Sequence, residues 1–278
     1  MYGRAHRTVG LTLIEMALVV ATVALMVGFA APAVRSLVRS FQSEGGVVSM
    51  VNAALSSART MAVSRQRYVG VRIQKACAST DSANPLKGLM DAPQYMIFIV
   101  HEEMKNNGDL SDGFRAMEGL DPIKLPAMIG LMDLSGIEND KGIDELPELS
   151  NATTFSIVFS PSGRVVVRDV RVRNKDGVNR PLTGLIPSKP SLDDTFNVAD
   201  TICRLGRGRF IQDDYPIGDS VQALGLGEEP SRVSFVVYEA SPLRAAYERK
   251  TAWTDYLSDL AGRAYYVSPH TGDLIASN

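Results

Sequence analysis

Nineteen residues from Met16 to Val34, MALVVATVALMVGFAAPAV, carry no formal charge. As a helix at about 1.5 Å per residue they would cover roughly 28 Å, close to the hydrocarbon thickness of a bilayer. No other stretch constrains the chain so strongly, because a helix this apolar must be covered by lipid or by other protein. One carboxylate, Glu15, heads the run, and Gly10 stands five residues before it. A charge near a membrane centre costs roughly 2.5–3.5 kcal/mol on insertion scales, so a retained one usually has a partner. Arg4 and Arg7 precede the run and Arg35 and Arg39 follow it, so flanking charge sets no orientation.

Two ordinary readings compete for this segment. One is a transmembrane anchor. The other is a cleaved secretory signal with a short basic start and small residues at Ala31-Pro32-Ala33. Its apolar core exceeds the usual length, and a carboxylate has no role in a simple signal. The residues that trouble both readings, Gly10-Leu11-Thr12-Leu13-Ile14-Glu15 and the run behind them, closely resemble the leader junction of type IV prepilins and type II secretion pseudopilins. The resemblance implies that a prepilin peptidase cuts between Gly10 and Leu11 and methylates the new Leu11 terminus. Glu15 becomes the fifth mature residue. There it pairs with a neighbour's Leu11 amine and sets axial register in a filament. Pro32 becomes the twenty-second mature residue, where many members carry a helix-loosening proline. The bland alternative for Glu15 is a solvated carboxylate in the headgroup zone. The location implied is a single-pass inner-membrane protein with cytoplasmic N-terminus and periplasmic head, later part of a pilus or pseudopilus.

Beyond the run, Val47, Met50, Val51, Ala54, Leu55, Ala58, Met61 and Ala62 recur at steps of three and four. That stripe predicts an amphipathic helix packed on a sheet. Gly45-Gly46, with Pro32, marks where the helix breaks or bends. One helix from Leu11 to about Val63 would measure roughly 80 Å. Alternation predicts a strand at Tyr68–Gln74, an apolar run predicts a central strand at Met96–Val100, and further strands follow near Phe155–Phe159 and Val165–Val172. Apolar parity shifts within the last of these, which predicts a bulge near Arg168-Asp169. Val233–Val237 reads as a strand. Ser241-Pro242 then opens a helix with an apolar face from Leu243 to Leu260, ending near Gly262. Ala264–Val267, a Ser268–Gly272 turn and Asp273–Ala276 read as a final hairpin. Residues 103–150 and 174–230 are rich in Gly, Asp, Asn and Pro and read as long loops or insertions.

A narrower resemblance rests on two motifs. Ser57-Ala58-Arg59-Thr60-Met61-Ala62 leads into the first strand, and Phe159-Ser160-Pro161-Ser162-Gly163 joins two strands. Both are similar to minor pseudopilins and minor pilins of the GspH/FimT type. That implies a low-abundance subunit near a filament tip or initiation complex. The two long loop regions depart from that group's shorter pattern.

Chemistry is sparsely represented. Net charge is −2, and without residues 1–10 there are 27 basic against 31 acidic groups, which does not mark a nucleic-acid binder. Three histidines and two cysteines do not suggest a multi-ligand metal site. Cys77 and Cys203 are either two separate thiols or one disulfide, which in a chain-entropy account would stabilise by roughly 4–5 kcal/mol. Ser268-Pro269-His270 reads as a turn rather than as nucleophile and base. The acidic pairs Asp193-Asp194, Asp213-Asp214 and Glu228-Glu229 lack calcium-loop spacing. Arg204-Leu205-Gly206-Arg207-Gly208-Arg209 is the one concentrated basic patch, and Arg204, Arg207 and Arg209 are the candidates for phosphate or DNA contact.

The expectation is therefore an α+β protein: a long N-terminal α-helix, membrane half plus amphipathic half, packed on antiparallel β-sheets. Residues 1–10 form a leader, 11–34 a transmembrane or filament-core helix, 35–63 its continuation and 64–278 a β-rich head with insertions near 103–150 and 174–230. The function expected is a minor pseudopilin or minor type IV pilin, not an enzyme, without cofactor or metal. Its expected partners are the prepilin peptidase, other pilin-type subunits and inner-membrane lipid. The alternatives are an adhesive or DNA-capturing tip subunit, and an exported domain with an ordinary signal or anchor.

Overall fold

A computed structural model describes residues 13–26, 43–102, 113–135, 143–175, 193–213, 227 and 229–277. Helix α1 covers 13–26. The fourteen residues described of it measure about 21 Å, short of the roughly 30 Å of a bilayer core. Among the described residues no helix is long and apolar enough to cross a membrane. This overturns the expected membrane-spanning helix, the long N-terminal helix of the expected fold, and the single-pass inner-membrane location with a periplasmic head.

Helix α2, Glu44–Arg65, is a separate element and not the tail of an 80 Å rod. Ser43 has an extended backbone and its hydroxyl accepts from the Gly46 amide at 3.4 Å, so the helix starts at its own cap. Gly45 and Gly46 lie in that first turn. Gln66, at φ 53°, closes the other end by donating its amide to the Ala62 carbonyl.

Next come β1 (Val69–Lys75), β2 (Gln94–Glu102), β3 (Gly113–Ala116), β4 (Ile123–Lys124) and β5 (Ile129–Met132). They are followed by α3 (Leu146–Thr153), β6 (Phe155–Phe159), β7 (Val165–Val166), β8 (Asp169–Val170) and β9 (Phe196–Asn197). Then come α4 (Ala199–Leu205), β10 (Phe210–Ile211), β11 (Glu229–Pro230) and β12 (Ser234–Glu239). The chain closes with α5 (Ala240–Glu248), a π-helical turn at Trp253–Leu257, α6 (Ser258–Ala261), β13 (Tyr265–Val267) and β14 (Leu274–Ala276).

One antiparallel sheet runs in the order β3-β2-β1-β6-β7, with β4 also on β2. A second antiparallel sheet runs β14-β13-β12-β5. Helix α2 supplies Val47, Val51, Leu55, Ala58 and Ala62 to a core shared with Val71 and Phe98 of the first sheet and Leu131, Phe235 and Val237 of the second. The other face of the first sheet, Ile97, Ile99 and Val158, packs on Val172, Phe196 and Phe210. The other face of the second sheet, Met132, Val236 and Tyr238, packs on Leu149, Leu243 and Leu257 from the flanking helices. Strand β1 is buried at all seven positions because both faces of its sheet are covered.

Several expectations are corrected. The regions read as loops contain β3, β4, β5, the start of α3, β9, α4, β10 and β11 among their described residues. These elements are short, so periodicity over a long window does not reveal them. The parity shift near Arg168 is a strand break, not a bulge: β7 pairs with β6, whereas β8 pairs with β11. The expected helix over 243–260 is interrupted where Lys250 adopts φ 57°. Its start is also shifted: α5 begins at Ala240, leaving Ser241 and Pro242 in its first turn.

Candidate functional site

Arg59 joins three parts of the chain. It sits on α2, half-buried, and its Nε donates to the Gly163 carbonyl at 2.9 Å. Its Nη1 donates to the Thr271 carbonyl at 2.8 Å and its Nη2 to the His270 carbonyl at 3.0 Å. Gly163 ends the Phe-Ser-Pro-Ser-Gly turn of the first sheet, and His270-Thr271 lie in the Ser-Pro-His-Thr-Gly turn of the second. The planar guanidinium suits this task, because its donors diverge in a fixed fork. Both turns close with glycine at φ +76°, Gly163 and Gly272. A Cβ on Gly163 would lie 2.9 Å from Val63, and one on Gly272 would lie 3.0 Å from the Phe159 ring. The amide of Val165 also donates to the Pro269 carbonyl at 3.1 Å, tying one turn to the other. At the opposite end of α2 the Tyr265 hydroxyl donates to Glu44 at 2.8 Å. The final hairpin is thus fastened to α2 at both ends.

Helix α1 lies at the other extreme of packing. Leu13 is 88% exposed, Leu18 68% and Met26 70%. Glu15 is exposed on the same helix. Gly10, Leu11 and Pro32 lie outside the described residues.

A buried polar network occupies the far face of the first sheet. Arg72 bonds Asp213 at 2.7 Å and also donates to the Gln74 side chain. Asp213 further accepts from the Val172 amide at 2.7 Å. Burial pushes the Asp213 carboxyl up to about 7, against the opposing pull of Arg72 and the Val172 amide. Glu229 is raised for the same reason, its burial outweighing Arg72 and Arg232. Lys75, on β1, is lowered to about 8 by burial, and donates to the carbonyls of Met90 and Ala92.

The fold brings Cys77 and Cys203 together as free thiols. In the basic patch, Arg204, Arg207 and Arg209 are exposed. Arg204 pairs with Asp200 at 2.7 Å. Gly206, at φ 62°, ends α4, and a Cβ on Gly208 would lie 2.7 Å from the Asn197 amide nitrogen. Chain geometry therefore explains both glycines of this patch. Asp193 caps its own turn, accepting from the Thr195 and Lys175 amides. Among the described residues there is no group of three or more His, Cys, Asp or Glu placed to hold a metal ion.

Sequence reasoning placed Arg59 in a motif without assigning it a role, and missed the Arg72–Asp213 pair altogether. The signal for the second was present: a charged residue inside the apolar strand VGVRIQK must find a partner when both faces are covered. No family model, curated protein or solved structure matches this chain.

Proposed function

We propose that this chain is a structural subunit of a pilus-type filament, a minor pseudopilin or minor type IV pilin, that joins its neighbours through α1. One observation carries the reading. Helix α1 exposes apolar side chains around its whole circumference, with Leu13, Ile14 and Leu18 on one side of the helical wheel and Val19, Val23 and Met26 on the other. A helix apolar on every side is stable when other helices surround it. Equivalent helices of further subunits meet that need, and Glu15 then supplies a charge whose pairing depends on axial register. The two sheets locked around α2 form the head carried by such a filament. The GLTLIE junction supports the same reading and names the prepilin peptidase as the processing partner.

The test is intact-mass and N-terminal peptide analysis of the chain from cells that make it naturally. A terminus at Leu11 carrying an N-methyl group is expected in the assembled fraction. A chain that retains Met1, or one that starts near Val34, would sink the proposal.

A further inference from the structure

Cys77 and Cys203 are the two cysteines of the chain. Cys77 follows β1, and its amide donates to the Arg209 carbonyl at 2.9 Å. Its side chain packs on the small cluster of Ala199, Ile202 and Ile211. Cys203 lies on α4 next to Ile202, against which Cys77 packs, and the Cys77 thiol donates to the Pro85 carbonyl at 3.5 Å. Both residues are half-buried, so small oxidants reach them. Polar ties between segment 193–213 and β1 include the Arg72–Asp213 pair at 2.7 Å and the Gln74 bond to the Ile211 carbonyl at 2.8 Å, and just past the strand the Cys77 amide donates to the Arg209 carbonyl.

We propose that Cys77 and Cys203 form a redox-responsive cross-link that fastens segment 193–213 to the end of β1. The oxidant is a disulfide, either glutathione disulfide or an oxidised dithiol protein. Burial, then the neighbouring Cys77 and the carboxylates of Asp200 and Asp81, pushes the Cys203 thiol up to about 12. Either cysteine can attack first, and the exchange balances in the same way from both. With Cys77 first, its thiolate bonds to one sulfur of the external disulfide and expels the other as a thiolate. Cys203 then gives up its proton and attacks the Cys77 sulfur, and the second external thiolate leaves. One external disulfide is reduced to two thiols, and two cysteine thiols are oxidised to one disulfide. This inference does not depend on the filament reading.

The full-length chain is incubated at neutral pH with glutathione disulfide or with dithiothreitol, alkylated, and read by intact mass and peptide mapping. The oxidised chain should lose two hydrogens, resist alkylation and yield one cross-linked peptide pair containing Cys77 and Cys203. Its Tm should exceed that of the reduced chain by on the order of 10 °C, and Cys77→Ser or Cys203→Ser should abolish the rise. Glutathione retained on either cysteine without ring closure, a bond between two chains, or two thiols still open to alkylation overturns the proposal. The peptide map of the unaltered chain decides the matter even if a variant folds poorly. A bond that forms without raising Tm overturns the fastening role.

Discussion

Arg59 replaces three separate solvations with one rigid fork, so its removal should cost more than a surface arginine usually does. Arg59→Ala leaves the Gly163, His270 and Thr271 carbonyls to partly exposed solvent. A loss of about 2 kcal/mol is expected by denaturant unfolding, against near zero for an exposed arginine such as Arg207. Gly272→Ala should cost about 1–2 kcal/mol, because φ +76° is strained for any residue with a Cβ. Asp213 supplies a third prediction at this scale. A carboxyl raised on folding holds its proton more tightly in the folded state. Its contribution is greatest below the ordinary carboxylate value near ~4 and declines as pH rises through about 7. The native chain should therefore lose stability relative to Asp213→Asn across that window. If it gains stability instead, the Arg72 pair outweighs burial. Neither role is evident from the neighbours of Arg59 or Asp213 in sequence, since their partners lie far along the chain.

Elements were legible where a period held over several turns or residues. The stripe on α2 announced its buried face, and Leu55 at its centre is fully buried between the two sheets. Leu55→Ala should cost roughly 2–5 kcal/mol and loosen both sheets together, seen as a lowered midpoint shared by every spectroscopic probe. Strand β12 was legible for the same reason, its odd and even positions going to different cores. The interruptions were not legible. Lys250 carries φ 57° with a long side chain, a conformation that its sequence neighbours do not announce. Lys250→Gly should stabilise the chain by up to about 1 kcal/mol, measured as a higher Tm. The division of 165–170 between two partners also escaped notice, because parity marks a change of face but not the new neighbour.

At the scale of the whole molecule, β1, β5 and β6 are buried at every position while α1 buries almost nothing. Head stability and assembly should therefore separate. Leu18→Glu with Val20→Glu should leave the Tm of the head unchanged and abolish recovery of the chain in sedimenting filaments. A lowered Tm would mean that α1 packs on the head in solution, and unchanged sedimentation would mean that assembly uses another surface.

The amino-acid sequence by itself determined the apolar N-terminal run, the α2 stripe, the principal strands and the glycine-closed turns. Each follows from local sterics or short-range periodicity, which the chain carries wherever it folds. Only the tertiary structure decided that the N-terminal helix is separate from α2, and that two similar turns converge on one arginine. It alone paired Arg72 with Asp213 and brought the two cysteines together. Those outcomes depend on which surfaces meet across long chain separations, and the free energy of such meetings is not written in any local window.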